Sequence, residues 1–254
     1  MDQEGQEQRS RRGIYLLPNM ITTAGLFAGF YAIVAAMSGR FEPAAVAIFV
    51  AMVMDGIDGR VARLTNTQSE FGVQYDSLSD MICFGLAPAL VMYEWSLKSM
   101  PSVGWAKLGW LAAFIYTAGG ALRLARFNAQ VATAEKGYFK GLPSPSAAGV
   151  MAGFVWIGVD VGIHGLDVAY LAFVLTIAVG LLMVSNIRYY SFKEFDFKNR
   201  VPFTVILLVV MVYVFASIDP PKVLFCGFLV YALSGIVYTV VKIRMQRRLR
   251  NRIE

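Results

Sequence analysis

Eight stretches of mostly apolar residues fill nearly the whole chain, and each approaches the about 20 residues that a helix needs to cross the hydrocarbon core of a bilayer. They run at roughly 15–38, 43–64, 70–96, 104–128, 145–163, 167–188, 200–217 and 222–243. Helices are required, because open strands would leave backbone amides unpaired in lipid, and a barrel would show shorter alternating segments. Composition agrees: 57% hydrophobic residues and 16% charged ones leave too little polar surface to cover a water-soluble globule. In 254 residues, eight spans with short connections leave no room for a large soluble catalytic domain. The expectation is an all-α integral membrane protein of about eight transmembrane helices forming one domain over residues 1–254, with a polar N-terminal segment, 1–13, and a basic tail, 242–254. The first span follows Arg9, Arg11 and Arg12 without a small-residue cleavage site, so it reads as uncleaved.

The net charge of +6 would point to nucleic acid in a soluble chain, but here it first reports orientation. An even number of spans puts both termini on one side. That side collects Arg9, Arg11, Arg12, Arg60, Arg63, Arg123, Arg126, Lys136, Lys140, Arg188, Lys193, Lys198, Arg200 and the six basic residues of the tail from Lys242 to Arg252, 19 of 23 in all. Only Arg40, Lys98, Lys107 and Lys222 fall on the other side, which marks the termini as cytoplasmic. The tail also suits anionic headgroups, at about 1 kcal/mol per basic group near the surface. Nucleic-acid binding is not expected.

Cys83 and Cys226 lie far apart in apolar stretches with no metal-ligand spacing, and read as buried hydrophobes. The single histidine, His164, sits in a turn between two apolar runs. Imidazole chemistry is therefore not expected, and catalysis must use carboxylates.

Four of these are conspicuous: Asp55 and Asp58 in the second span, Asp76 and Asp80 in the third. A charge inside a span costs on the order of 3 kcal/mol even on insertion scales, so four together need a metal, basic partners or a water-filled cavity. Arg60 and Arg63 could make a structural ion-pair cluster, but two arginines cannot neutralise four acids. Asp55, Asp58, Gly59 and Ala62 recur at i, i+3, i+4 and i+7 on one helical face; Gly72, Asp76 and Asp80 recur at i, i+4 and i+8 on another. With about 1.5 Å rise per residue, Asp58 and Asp76 lie about 9 Å from the cytoplasmic edge, and Asp55 and Asp80 roughly 14 Å. Oxygen ligands converging at matched depth, without His or Cys, suit Mg²⁺ or Mn²⁺, and four carboxylates suffice for two ions. Gly59, Ala62 and Gly72 are small either to admit a phosphorylated ligand to the backbone or to let helices pack closely.

The pattern Asp55-x2-Asp58-Gly59-x2-Ala62-Arg63-x8-Gly72-x3-Asp76-x3-Asp80 resembles the full signature of the CDP-alcohol phosphatidyltransferase family. The blocks Gly120–Asn128, Phe139–Pro145 and Leu17–Thr22 are similar to its membrane-bound phosphatidylserine synthase branch, whose eight helices are a six-helix core plus two. The resemblance implies that Asp55, Asp58 and Asp76 hold metal, and that Asp80 ligates metal and acts as general base. It implies that Gly59, Ala62, Arg63 and Gly72 hold the cytidine diphosphate part of CDP-diacylglycerol. The implied reaction is attack of the L-serine hydroxyl on the β-phosphate, giving phosphatidylserine and CMP at a cytoplasm-facing site in the inner membrane, in a homodimer.

Arg123 and Arg126, one turn apart, could grip a phosphate or the serine carboxylate, or simply mark topology; the same holds for Lys140 before a Gly-Leu-Pro-Ser-Pro turn. Asn19 either lines the headgroup pocket or caps the first helix. Two other functions compete. The same machinery could serve glycerol 3-phosphate, inositol phosphate or choline. A cation transporter could use the acids as an ion path, but the outer halves of the spans offer no polar chain to continue it.

Overall fold

In the computed structural model of the chain, which describes residues 2–65, 67, 69–100, 108–130, 138–190, 207, 211, 214, 215 and 217–250, the apolar stretches fold as helices. The first is α1, Asp2–Met37, and it ends where Gly39 adopts φ 71°, a left-handed conformation that lets the Arg40 amide return to the Ala35 carbonyl at 2.9 Å. Helix α2, Phe41–Leu64, runs back alongside it. The two approach closely because their shared face is built from alanine: Ala28, Ala32, Ala35 and Ala36 on α1 and Ala44, Ala45, Ala47 and Ala51 on α2 are all buried. Helix α3, Glu70–Asp80, starts on a Ser69 cap whose hydroxyl accepts from the Gly72 amide at 3.0 Å.

The third expected span is not one regular helix. A π-helical turn, Met81–Leu86, separates α3 from α4, Ala87–Trp95, and the Ala87 amide reaches five residues back to the Ile82 carbonyl. The widened turn frees carbonyls that α5, Gly109–Gln130, supplies with donors: Tyr116 Oη to Phe84 O at 2.9 Å and Thr117 Oγ1 to Gly85 O at 3.3 Å.

Helices α6, Ser144–Asp160, and α7, Ala169–Val184, follow. A Cβ on Gly119 of α5 would lie 2.5 Å from the Gly180 carbonyl oxygen of α7, so this crossing closes at backbone contact. The all-α expectation needs one amendment: β1, Tyr138–Lys140, pairs antiparallel with β2, Arg188–Tyr190, in the register Phe139↔Tyr189 and Lys140↔Arg188. Helix α8, Pro220–Arg250, then packs on α6, where added Cβ atoms at Gly149 and Gly153 would strike Phe228 and Phe225. Tyr189 Oη donates to Ala232 O and Tyr231 Oη to Tyr190 O, both at 3.0 Å, fastening the strand pair to α8. The expected seventh span, 200–217, lies outside the described residues apart from isolated positions.

Among the described residues two segments are long and apolar enough to cross a membrane by length and composition, Leu17–Met37 with mean hydropathy 1.8 and Pro220–Lys242 with 2.1. The outward faces carry large apolar side chains, among them Phe27, Phe30, Phe114, Leu171, Val174 and Val230, while the interior is rich in alanine.

Candidate active site

Helices α2 and α3 place the four acids on facing surfaces. Asp55 and Asp58 are three residues apart on α2, Asp76 and Asp80 four apart on α3, so each pair shares a helical face. One ligand oxygen from each of Asp55, Asp76 and Asp80 comes within 4.8 Å of the others. Asp55 and Asp80, expected at matched depth, are both in this group. Asp58 faces the same small cavity but is the most enclosed, 4% exposed, and its Oδ2 accepts from Thr22 Oγ1 of α1 at 2.6 Å.

This donor set fits a hard divalent cation: carboxylate oxygens alone, converging from two rigid helices. Arg60 and Arg63 do not pair with these acids. Both are exposed, and Arg63 Nε turns back to the Gly59 carbonyl of its own helix at 2.9 Å. The ion-pair cluster is therefore not what holds the carboxylates inside the fold.

The small residues divide. Among the described residues a Cβ on Gly59 would meet nothing within 4 Å, so α2 faces open space at this position. At Gly72 a Cβ would come 3.1 Å from Ser69 Oγ and 3.4 Å from Asn19 Oδ1, which places Asn19 against the start of α3 rather than at the start of its own helix. Ala62 is half-buried one turn beyond Gly59.

The basic residues divide too. Arg123 donates to Ser144 Oγ at 2.6 Å, stands over the Phe127 ring at 6.0 Å, and has Asp80 and Asp55 among its electrostatic partners. Arg126 instead reaches the end of α7, with Nη1 3.4 Å from Ser185 O and 3.5 Å from Asn186 Oδ1. Lys140 is exposed on β1 opposite Arg188.

Three contributors, Thr22, Asn128 and Ser144, lie inside the blocks Leu17–Thr22, Gly120–Asn128 and Phe139–Pro145, but the sequence assigned them no role. Thr22 was legible only as a polar residue three positions after Asn19. Asn128 Nδ2 bonds Ser77 Oγ at 3.1 Å, one residue from Asp76, and Ser144 holds Arg123. Serine and asparagine at helix ends carry no signal that separates such contacts from capping.

Carboxylate oxygens converging at these spacings inside an apolar helical protein make a candidate divalent-metal site. Residues 15–182 match the family model described as CDP-alcohol phosphatidyltransferase, and the chain belongs to that family of transferases. Relatives extend the match past that region. The chain is 34% identical over 234 residues to a CDP-diacylglycerol–serine O-phosphatidyltransferase of Helicobacter pylori, covering 91% of this chain and 94% of that one. It is 31% identical to the protein of that name from Methanocaldococcus jannaschii, covering 90% and 96%, and 30% identical to the one from Bacillus subtilis, covering 72% and 94%.

Proposed function

We propose that this chain is a phosphatidylserine synthase, which transfers the phosphatidyl group of CDP-diacylglycerol to the hydroxyl of L-serine and releases CMP. The observation that carries the choice of serine is the identity, sustained over nine-tenths of the chain, with proteins named for that reaction. The four-carboxylate site supports the phosphoryl chemistry.

On this reading Asp55, Asp58, Asp76 and Asp80 hold two divalent ions, Mg²⁺ or Mn²⁺. Bound there, they would neutralise the pyrophosphate and the charge on departing CMP. The chain's own groups do the rest. The open face of α2 at Gly59, with Ala62, Arg63 and Gly72, admits the cytidine diphosphate against the backbone. Asp80 takes the serine hydroxyl proton as the oxygen bonds to the β-phosphorus and the bond to CMP breaks. Arg123, which has Asp80 and Asp55 among its electrostatic partners, orients the serine carboxylate or a phosphate, with Asn19, Arg126 and Lys140 as further candidates. The protein spans the inner membrane about eight times with both termini and the site on the cytoplasmic side, and acts as a homodimer. The apolar outer faces and the basic asymmetry support the topology; cross-linking in native membranes tests the dimer.

The deciding assay is purified protein in detergent with CDP-diacylglycerol, Mn²⁺ or Mg²⁺, and serine, glycerol 3-phosphate, inositol phosphate or choline in turn, following CMP. Release with serine is expected. Release with glycerol 3-phosphate and not serine would reassign the acceptor, and metal binding without release in any condition would favour a transport or structural site.

A further inference from the structure

We infer that Thr22 of α1 is a positioning residue for Asp58, fixing the one carboxylate that stands outside the Asp55–Asp76–Asp80 group so that it can join that group around a divalent cation. This rests on the metal-site reading above.

Thr22 has no structural need of Asp58. A threonine inside a helix commonly satisfies its hydroxyl on the carbonyl four residues back, and Pro18 O lies 3.0 Å from Thr22 Oγ1. The hydroxyl nevertheless stands 2.6 Å from Asp58 Oδ2, within the range of a charge-assisted O–H···O⁻ bond, and it carries a single proton. The beneficiary of the contact is therefore the aspartate. Asp58 is 4% exposed. With Oδ2 held by Thr22, the carboxylate plane is set, and its remaining lone pairs are directed by α1 rather than by solvent.

Helix α1 is in turn held in register against the acid-bearing segment at this residue and over the two turns that follow it. Ser79 Oγ lies 3.5 Å from the Thr22 carbonyl, and Cys83 Sγ lies 3.3 Å from that of Gly25, one turn on. At Gly29 a Cβ would meet Cys83 Sγ at 2.6 Å, so α1 cannot slide without a clash. A span with no acid of its own between Leu17 and Met37 thus enters the site through one hydroxyl. Hydrogen-bond partners of metal ligands orient them, and their removal typically costs about 10–100-fold in metal affinity.

The test measures Mn²⁺ binding to the full-length protein in detergent by electron paramagnetic resonance, without substrate. Thr22→Val keeps the shape and removes the donor; Thr22→Ser keeps the donor. The expected result is a Kd for Mn²⁺ raised about 10–100-fold in Thr22→Val and restored close to wild type in Thr22→Ser. In an Asp58→Asn background, Thr22→Val should cost nothing further, because the ligand it positions is gone. Wild-type Mn²⁺ affinity in Thr22→Val, or an equal loss in the Asp58→Asn background, overturns the assignment. Wild-type binding that survives Asp55→Asn unchanged would instead sink the four-acid metal site itself, and the role of Thr22 with it. Should Thr22→Val fail to fold, Thr22→Ala takes its place in the same cycle, read by the same criteria.

Discussion

Replacing Asp80 with asparagine keeps the volume of the side chain and removes its charge and its capacity to take a proton. If Asp80 is the base, turnover in Asp80→Asn falls by about 10²–10⁴ while CMP still protects the protein partly against thermal unfolding. Activity near wild type would end its assignment. Gly59 separates two readings that the spacing alone left equal. Because a Cβ there meets open space, Gly59→Ala should leave the fold as stable or up to about 1 kcal/mol more so through helix propensity, yet raise the KM for CDP-diacylglycerol. Loss of stability with unchanged KM would restore helix packing as its purpose. At this scale the acids were fully legible, since carboxylates in apolar helices are costly and their spacing fixes the face they share. Thr22, Asn128 and Ser144 were not, because a hydroxyl or amide costs little wherever it falls and only its partner reveals its work.

Between residues and fold, the π turn at Met81–Leu86 begins immediately after Asp80 and sets the rotation of α3 relative to α4. Its carbonyls depend on α5: removing the Tyr116 hydroxyl leaves the Phe84 carbonyl unpaired in the core. Tyr116→Phe should therefore destabilise by about 1–3 kcal/mol in denaturation in detergent. It should also lower CMP release, because Asp80 would lose its seat; unchanged stability would mean the turn keeps its geometry by packing alone. The expected helix at 70–96 missed this turn because a single extra residue per turn leaves the apolar content of the segment unaltered. The two strands were illegible for a different reason: three residues each, separated by nearly fifty positions, they show no alternation long enough to register. Helix existence was readable from apolar length, whereas the sites of closest approach, such as Gly119 against Gly180, required knowing which helices meet.

At the scale of the whole molecule large apolar side chains such as Phe27, Phe30 and Leu171 are exposed, while alanines fill much of the interior alongside Phe84, Tyr116 and Met151. That is sensible only if the outside is hydrocarbon, where large side chains cost nothing to expose and small ones let helices close up. The basic residues then decide which end faces the cytoplasm, and two exposed positions at opposite ends of the spans make the assignment measurable. Thr65 closes α2 beside the acid-bearing turn, and His164 lies in the connection from α6 to α7. With Cys83 buried and Cys226 replaced by serine, a single cysteine at either position is the reactive thiol. In intact cells a membrane-impermeant maleimide should label His164→Cys and leave Thr65→Cys unmodified until the membrane is opened; in inverted vesicles the pattern should reverse. Labelling of Thr65→Cys from outside would turn the molecule over. It would also carry the site, and the 19 basic residues on its side, away from the cytoplasm, against the asymmetry that orients the chain. Labelling of both from one side would instead break the odd count of crossings between them, since α3 with α4, then α5, then α6 make three spans.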